Sequence, residues 1–366
     1  MKIVLTGGGT GGHLFPLIAV KDRLQQKDFQ IEFLFIGPKG KLEEELMKKE
    51  GIETSYILAG KMRRYFSLLN FIDCFKVLIG FFQSLYKLLI FMPEVVFSKG
   101  GFASFPVVLA AWLYRIPVLI HESDSRPGLA NTILSKLATR VAVSYPEAIK
   151  NFQESKAILT GNPLREDIAQ GKAEKAREFL GIKDDKKTIL IYEGSQGSKI
   201  INEKVLAILP ELLRECYVIH QVGEANLEEV KTRAAQAGIK IGRDNYFPLG
   251  FIKNELKDFF ALADLVISRA GANSISEIAA NGKPCILIPL ANAANDHQRM
   301  NAYALANQEA CFVLEESNLG ENIFLTRIRE IFSNDARREK FSQNIKSFYH
   351  ADAAEKIANG ILELVK

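Results

Sequence analysis

Five glycines and a threonine run from Gly7 to Gly12, and His13 closes the run. Main chain without Cβ atoms turns tightly and brings bare N–H groups close to an anion. His13 is the titratable side chain at the mouth, a group suited to taking a proton from an attacking hydroxyl. Gly7, Gly9 and Gly12 fit G-x-G-x-x-G, a spacing that serves a phosphate loop or a plain tight turn. A second glycine loop, Glu193-Gly194-Ser195-Gln196-Gly197-Ser198, can cradle another anion with its N–H groups and the Ser195 hydroxyl. In Ser268–Glu277, Ser274 stands near a helix start and Glu277 one turn on. That carboxylate suits a ribose diol, though the pair also reads as a capping box. Asn292–Asn301 gathers amides that suit sugar hydroxyls, or that merely begin a polar helix.

Each cluster needs a strand before it and a helix after it. The run Met1–Leu5 reads as a buried strand, and Leu14–Leu24 carries apolar residues at helical spacing. Strands are expected at 31–36, 53–58, 94–98, 117–121 and 140–143, with helices such as 41–49 and 105–114 between them. After Gly161-Asn162-Pro163-Leu164-Arg165 the alternation resumes, with strands at 188–192, 216–222, 264–268 and 285–289. Such alternation implies parallel sheets joined by right-handed crossovers. The boundary is placed at 162/163, giving domains 1–162 and 163–347. A last helix within 348–366, apolar at Ala354, Ile357, Ile361 and Leu364, is expected to pack back on the first domain. One phosphate loop per domain suggests two phosphate-bearing ligands.

A length of 366 residues admits two domains, and 48% apolar with 25% charged residues excludes a disordered chain. A net charge of +4 is too mild to argue for nucleic acid. Cys74, Cys216, Cys285 and Cys311 lack metal or redox spacing and read as buried thiols in a reducing compartment. No carboxylate cluster announces a metal site. No basic region precedes an apolar stretch at the N-terminus, so no signal peptide is expected.

The stretch 65–91 is apolar enough to suggest a membrane span, but Asp73, Lys76, Gln83 and Lys87 fall on one helical face. An amphipathic helix, or two short ones broken near Gly80, fits better. It is either a core helix packed on the sheet or a surface that dips into a membrane, with Lys61, Arg63 and Arg64 just before it.

Taken in order, these motifs go beyond a generic α/β chain. Gly7–His13, Ser98-Lys99-Gly100-Gly101-Phe102, His121-Glu122, Pro127-Gly128 and Asn131 are followed by 161–165, 194–197, 268–277 and Asp296-His297-Gln298. The set resembles, almost end to end, family 28 of the glycosyltransferases, the MurG family of peptidoglycan synthesis. The resemblance implies the GT-B fold, two Rossmann-like domains facing across a cleft. It implies transfer of N-acetylglucosamine from UDP-GlcNAc to the 4-hydroxyl of the MurNAc sugar of lipid I, with inversion, forming lipid II. Donor binding would fall to Thr10, Gly11, Gly12, Arg165, Ser195, Gln196, Ile252, Ser274, Glu277 and Gln298. Ile252 would read uracil through its backbone and Glu277 would hold the ribose. Acceptor binding would fall to Gly8, Gly9, His121, Asp124 and Asn131. His13 would be the catalytic base, with Asp124, His121 or no single base as alternatives. No cofactor or metal is implied beyond the donor itself. The undecaprenyl diphosphate acceptor implies a peripheral enzyme on the cytoplasmic face of an anionic plasma membrane, touching it through Phe75, Ile79, Phe82 and Trp112. The resemblance also implies a place in cell division and cell shape, with other cell-wall synthesis proteins as further partners.

The sequence departs from the family pattern at Glu193, which stands for a glycine, and at Ser123-Asp124, which stand for Gln-Asn. Asn292 stands where many members have His. A nicotinamide dehydrogenase would need an acid closing the second strand, and that strand ends Phe35-Ile36-Gly37-Pro38-Lys39. A UDP-sugar transferase acting on another lipid, such as a diacylglycerol, and a non-catalytic UDP-sugar binding subunit are the other readings.

Overall fold

The structure is a computed structural model that describes residues 1–9, 11–60, 68–194, 196–252 and 254–365. Contacts divide the chain into two units, Met1–Arg165 with His350–Lys366, and Glu166–Tyr349. Pro163, Leu164 and Arg165 therefore go with the first unit, and Phe348 and Tyr349 with the second, a few residues from the boundaries expected at 162/163 and 347/348.

The first unit holds seven strands: β1 Lys2–Thr6, β2 Glu32–Gly37, β3 Glu53–Tyr56, β4 Val95–Ser98, β5 Val118–Glu122, β6 Arg140–Val143 and β7 Ala157–Leu159. All pair in parallel in the order β3-β2-β1-β4-β5-β6-β7. A parallel sheet is covered on both faces, so its central strands read as unbroken apolar runs such as Ile3-Val4-Leu5 and Val95-Val96-Phe97, all fully buried. The helix Ala353–Glu363 closes this core: Ile357, Ala358 and Ile361 join Ile3, Leu5, Leu17 and Leu24 in one cluster. Arg23 and Lys27 of the helix Gly11–Lys27 pair with Glu355 at its rim.

The second unit holds β8 Lys187–Tyr192, β9 Cys216–Gln221, β10 Tyr246–Leu249, β11 Leu265–Ser268, β12 Cys285–Leu287 and β13 Phe312–Val313, parallel in the order β10-β9-β8-β11-β12-β13. Both edge strands escaped the sequence reading. Pro248 within β10 lacks a donor, which an edge strand tolerates, and β13 is two residues long.

Residues 68–91 form one helix that is not broken at Gly80. Apart from the exposed Lys76, its polar stripe faces the domain. Gln83 accepts from Leu58 N at 2.8 Å, Lys87 Nζ donates to Ser55 Oγ at 2.5 Å, and Asp73 and Ser84 are buried. Gly80 is needed because a Cβ there would strike the Leu58 carbonyl. The apolar face points outward, with Phe75, Leu78, Ile79, Phe82, Tyr86, Leu89 and Ile90 exposed. Only 17% of the stretch Asp73–Phe91 is buried, so it is not the core helix that its composition allowed. Cys74 lies exposed on the same helix, against the expectation of four buried thiols; Cys216, Cys285 and Cys311 are buried.

Candidate active site

In the first sheet the chain order reverses between β1 and β4, the kind of switch point at which open parallel sheets hold ligands. The loops leaving these two strands stand side by side, with Lys99 N donating to Thr6 O at 2.9 Å. His13 sits in the first turn of the helix Gly11–Lys27, half-buried, with Nδ1 3.4 Å from the Lys99 carbonyl. Its ring lies over Gly101, whose backbone has φ +81°; a Cβ there would stand 3.3 Å from Cε1. Burial first, then the Lys99 charge, pushes His13 down to about 4. The near-neutral base expected from sequence is thus a weaker one here.

Behind His13 lies a buried polar chain. Lys99 Nζ lies 2.7 Å from His121 Nδ1, and His121 Nε2 lies 3.0 Å from Gly161 O. An ammonium has only donors and a carbonyl only accepts, so the ring is neutral and carries its proton on Nε2. Burial, then Lys99, holds His121 well below its ordinary value. Burial lowers Lys99 to about 8. Glu122 accepts from Asp124 N at 2.9 Å, Gly128 N at 3.1 Å and Asn131 Nδ2 at 2.9 Å, and burial raises its pKa. His121 and Asn131, expected to touch acceptor, are instead buried within this framework: His121 is fully enclosed and Asn131 is 5% exposed. Asp124 is half-buried at the rim, and its charge is felt by His13 and Lys99. Gly8 and Gly9 lie in the loop as expected, but the Gly9 N–H already donates to Glu43 Oε1 at 2.8 Å. A carboxylate there shows that this N–H is aimed at an anion. Gly11 is buried and Gly12 exposed at the helix start, and Thr10 lies outside the described residues. The Arg165 guanidinium sits 5.7 Å above the Phe15 ring.

The second unit repeats the plan. Its switch point lies between β8 and β11. The loop 193–198 leads into the helix Lys199–Glu215, whose N-cap Ser198 accepts from Ile201 N. Arg269, leaving β11, donates to Ser198 Oγ at 2.6 Å and pairs with Glu316 at 2.6 Å, tying both loops together. Gln196 is exposed and Ser195 lies outside the described residues. Glu193 is enclosed, with Oε1 3.3 Å from His220 Nε2, and His220 Nδ1 is 3.0 Å from Tyr246 Oη. Burial and the Glu193 charge push the Tyr246 phenol up. The helix Ala272–Ala280 has Gly271 as its N-cap, so Ser274 lies inside the first turn and forms no capping box with Glu277. Both side chains are half-buried. Gln298 Oε1 accepts from Leu290 N at 3.0 Å, and Asn301 Nδ2 donates to Ala270 O at 3.3 Å. Before the helix His297–Ala306, Asn295 and Asp296 take φ of +56° and +57°, a conformation Asn and Asp tolerate better than most residues. Ile252 N donates to Gln221 Oε1 at 3.0 Å.

Gln196, Ile252, Ser274, Glu277 and Gln298 thus gather around the C-terminal edge of the second sheet, and His13, Gly8, Gly9, Asp124 and Arg165 around that of the first. Phe75, Ile79, Phe82 and Trp112 lie apart from both, exposed on two neighbouring helices. Sequence reasoning missed Lys99, Glu43 and Gln221 as site residues. Only Lys99 carried a signal, standing directly before Gly100-Gly101 at a strand end. Among the described residues no group of three or more His, Cys, Asp or Glu is placed to hold a metal ion.

The family models match both units: the glycosyltransferase family 28 N-terminal domain over residues 3–143 and its C-terminal domain over 188–357. The chain belongs to glycosyltransferase family 28. Similar family-28 relatives include a protein of Clostridium perfringens, 42% identical, covering 100% of this chain and 96% of the relative. It is named UDP-N-acetylglucosamine--N-acetylmuramyl-(pentapeptide) pyrophosphoryl-undecaprenol N-acetylglucosamine transferase. A Bacillus cereus relative with the same name, numbered 2, is 38% identical over 99% of both chains. The crystal structure of Acinetobacter baumannii MurG matches with a TM-score of 0.75 at 27% identity, covering 99% of both chains. A UDP-GlcNAc 2-epimerase from Neisseria meningitidis shares the fold at a TM-score of 0.71 and 16% identity. The two Rossmann-like domains of this family-28 chain are therefore a GT-B pair.

Proposed function

We propose that this chain moves N-acetylglucosamine from UDP-GlcNAc to the 4-hydroxyl of the MurNAc sugar of lipid I, forming lipid II with inversion at the sugar carbon. The observation that carries this is the 42% identity spanning the whole chain to a relative named for that transfer. The two switch-point loops supply fitting chemistry, since each precedes a helix and directs backbone N–H groups at an anion.

In this reading the second unit binds the donor. Ile252 faces the base, Glu277 accepts from the ribose hydroxyls, and Ser195, Gln196 and Ser274 attend the diphosphate. The helix Lys199–Glu215 aims its positive end at the loop, favouring the charge that builds on departing UDP. Gln298 meets the sugar. In the first unit, Gly8, Gly9 and Asp124 meet the acceptor and His13 takes the hydroxyl proton. At neutral pH His13 is unprotonated, as a base must be. A diphosphate seated at the glycine loop would raise its basicity by opposing the effect of Lys99. That anion must displace Glu43 from Gly9 N. His121 and Asn131 act from behind, holding Lys99 and Glu122.

The exposed face of the helix Leu68–Phe91, with Trp112, is assigned to an anionic membrane surface on the cytoplasmic side. A helix whose polar stripe is bonded to its own domain and whose apolar face is bare fits a surface contact. Lys61, Arg63 and Arg64, the basic residues that precede it in the sequence, lie outside the described residues.

The test is direct. Purified protein, UDP-GlcNAc and lipid I in detergent should release UDP and yield lipid II. Release of UDP with a diacylglycerol but not with lipid I would overturn the acceptor, and no UDP release with either would overturn the enzyme.

A further inference from the structure

The loops flanking β9 are held by one side chain. Gln221 ends β9, is fully buried, and has β8 on one side and β10 on the other. Its Nε2 donates to Gly194 O at 2.5 Å, in the loop after β8. Its Oε1 accepts from Ile252 N at 3.0 Å, in the loop after β10. The surroundings are built to close tolerances. A Cβ on Gly197 would strike Val222 O, and one on Gly223 would strike Gln196 O, so the glycine loop lies directly on the end of β9. Asn226 Nδ2 donates to Val222 O at 2.8 Å, and Gly223 N donates to Gly250 O at 3.0 Å.

We propose that Gln221 is a positioning residue that fixes the distance between the base-facing backbone at Ile252 and the diphosphate loop at Gly194, and so selects a ligand that spans both, a nucleoside diphosphate. This rests on the donor assignment given above. The carboxamide is suited to the task because one planar group offers a donor and an acceptor in opposite directions. Leu at this position supplies neither. Glu keeps an acceptor for Ile252 but sets a carboxylate oxygen against the Gly194 carbonyl.

The experiment compares wild type with Gln221→Leu and Gln221→Glu, titrating UDP and uridine separately and measuring donor KM and kcat. The expected result is a UDP affinity about 10- to 100-fold weaker in both variants, the scale of one or two buried hydrogen bonds left unmade. Uridine, which engages only the base segment, should lose less than about 3-fold in Gln221→Glu, which keeps that segment's acceptor. Donor KM should rise with kcat little changed. Equal losses for UDP and uridine in Gln221→Glu, or unchanged UDP binding in both variants, would overturn the proposal. A thermal melt checks folding; should Gln221→Leu fail to fold, Gln221→Glu decides. Wild type that binds neither UDP nor UDP-GlcNAc would instead defeat the donor assignment.

Discussion

Lys99 and His121 are joined end to end inside the first domain, Nζ to Nδ1 at 2.7 Å, and the backbone carbonyl of the same lysine faces His13 at 3.4 Å. One residue thus orients the candidate base and lowers its basicity. Removing the Lys99 charge removes a cation that disfavours imidazolium, so His13 should become easier to protonate. Burial, the larger cause, remains, so its pKa should stay below 6.5. In Lys99→Met the acidic limb of the kcat/KM profile should therefore move up in pH from its wild-type position near 4, and activity at pH 5 should fall more than at pH 7.5. The His13 ring signal in an NMR titration should move with it. A limb that stays in place would mean that His13 is not the group being read.

His13→Ala tests the base itself. A general base contributes about 10²- to 10⁴-fold, so kcat should fall by that much with donor KM little altered. The loop backbone should survive, since the ring leans on Gly101 and makes one long contact to Lys99 O. A near-normal rate would pass the role to Asp124, also at this rim.

Gly100 tests the framework. Its φ is +79°, and a Cβ would collide with the Asn131 carboxamide, which is itself bonded to Glu122. Gly100→Ala combines backbone strain with a broken buried network, so a loss of about 2–4 kcal/mol is expected in a denaturation titration. Gly51→Ala, with φ +64° but open space around it, should lose less.

Much of this was legible in the sequence because local pattern and global fold agree. Ile3-Val4-Leu5 before a glycine run, and Leu265–Ser268 before Gly271, announce strand, turn and helix from chain order alone. What stayed hidden depends on partners distant in sequence. Nothing near Glu43 says that its carboxylate will cap Gly9, 34 residues away. Nothing near Gln221 says that its amide will reach both Gly194 and Ile252. The helix 68–91 stayed open between two readings for a related reason. Composition gives the polar stripe Asp73, Lys76, Gln83 and Lys87, but not the direction it faces, and here Leu58 N and Ser55 Oγ turn Gln83 and Lys87 inward while Lys76 stays exposed.

Glu277 is the sixth residue after the N-cap Gly271, in the second turn and half-buried, on the helix that opens at the second switch point. If it holds the ribose diol, Glu277→Ala removes up to two charge-assisted hydrogen bonds and should raise donor KM about 10- to 100-fold. Glu277→Gln, which keeps an acceptor, should recover part of that. A steady-state series in UDP-GlcNAc at saturating acceptor decides; an unchanged KM in Glu277→Ala would remove it from the ribose site.

Ile79 and Phe82 are 48% and 61% exposed on the outer face of the helix Leu68–Phe91, so their side chains support little of the core. Each full burial of such a side chain is worth about 1.5–3 kcal/mol, and lipid would cover what the protein leaves bare. Ile79→Ser with Phe82→Ser should therefore weaken sedimentation with anionic liposomes by roughly 10-fold or more. Turnover of a short-chain, water-soluble acceptor should be unaffected, and the melting temperature should hold. Loss of melting temperature with liposome binding intact would place this face in a protein contact instead. The comparison with Leu88→Ser, on the buried side of the same helix at 1% exposure, sharpens the contrast, because that substitution should destabilise the domain first.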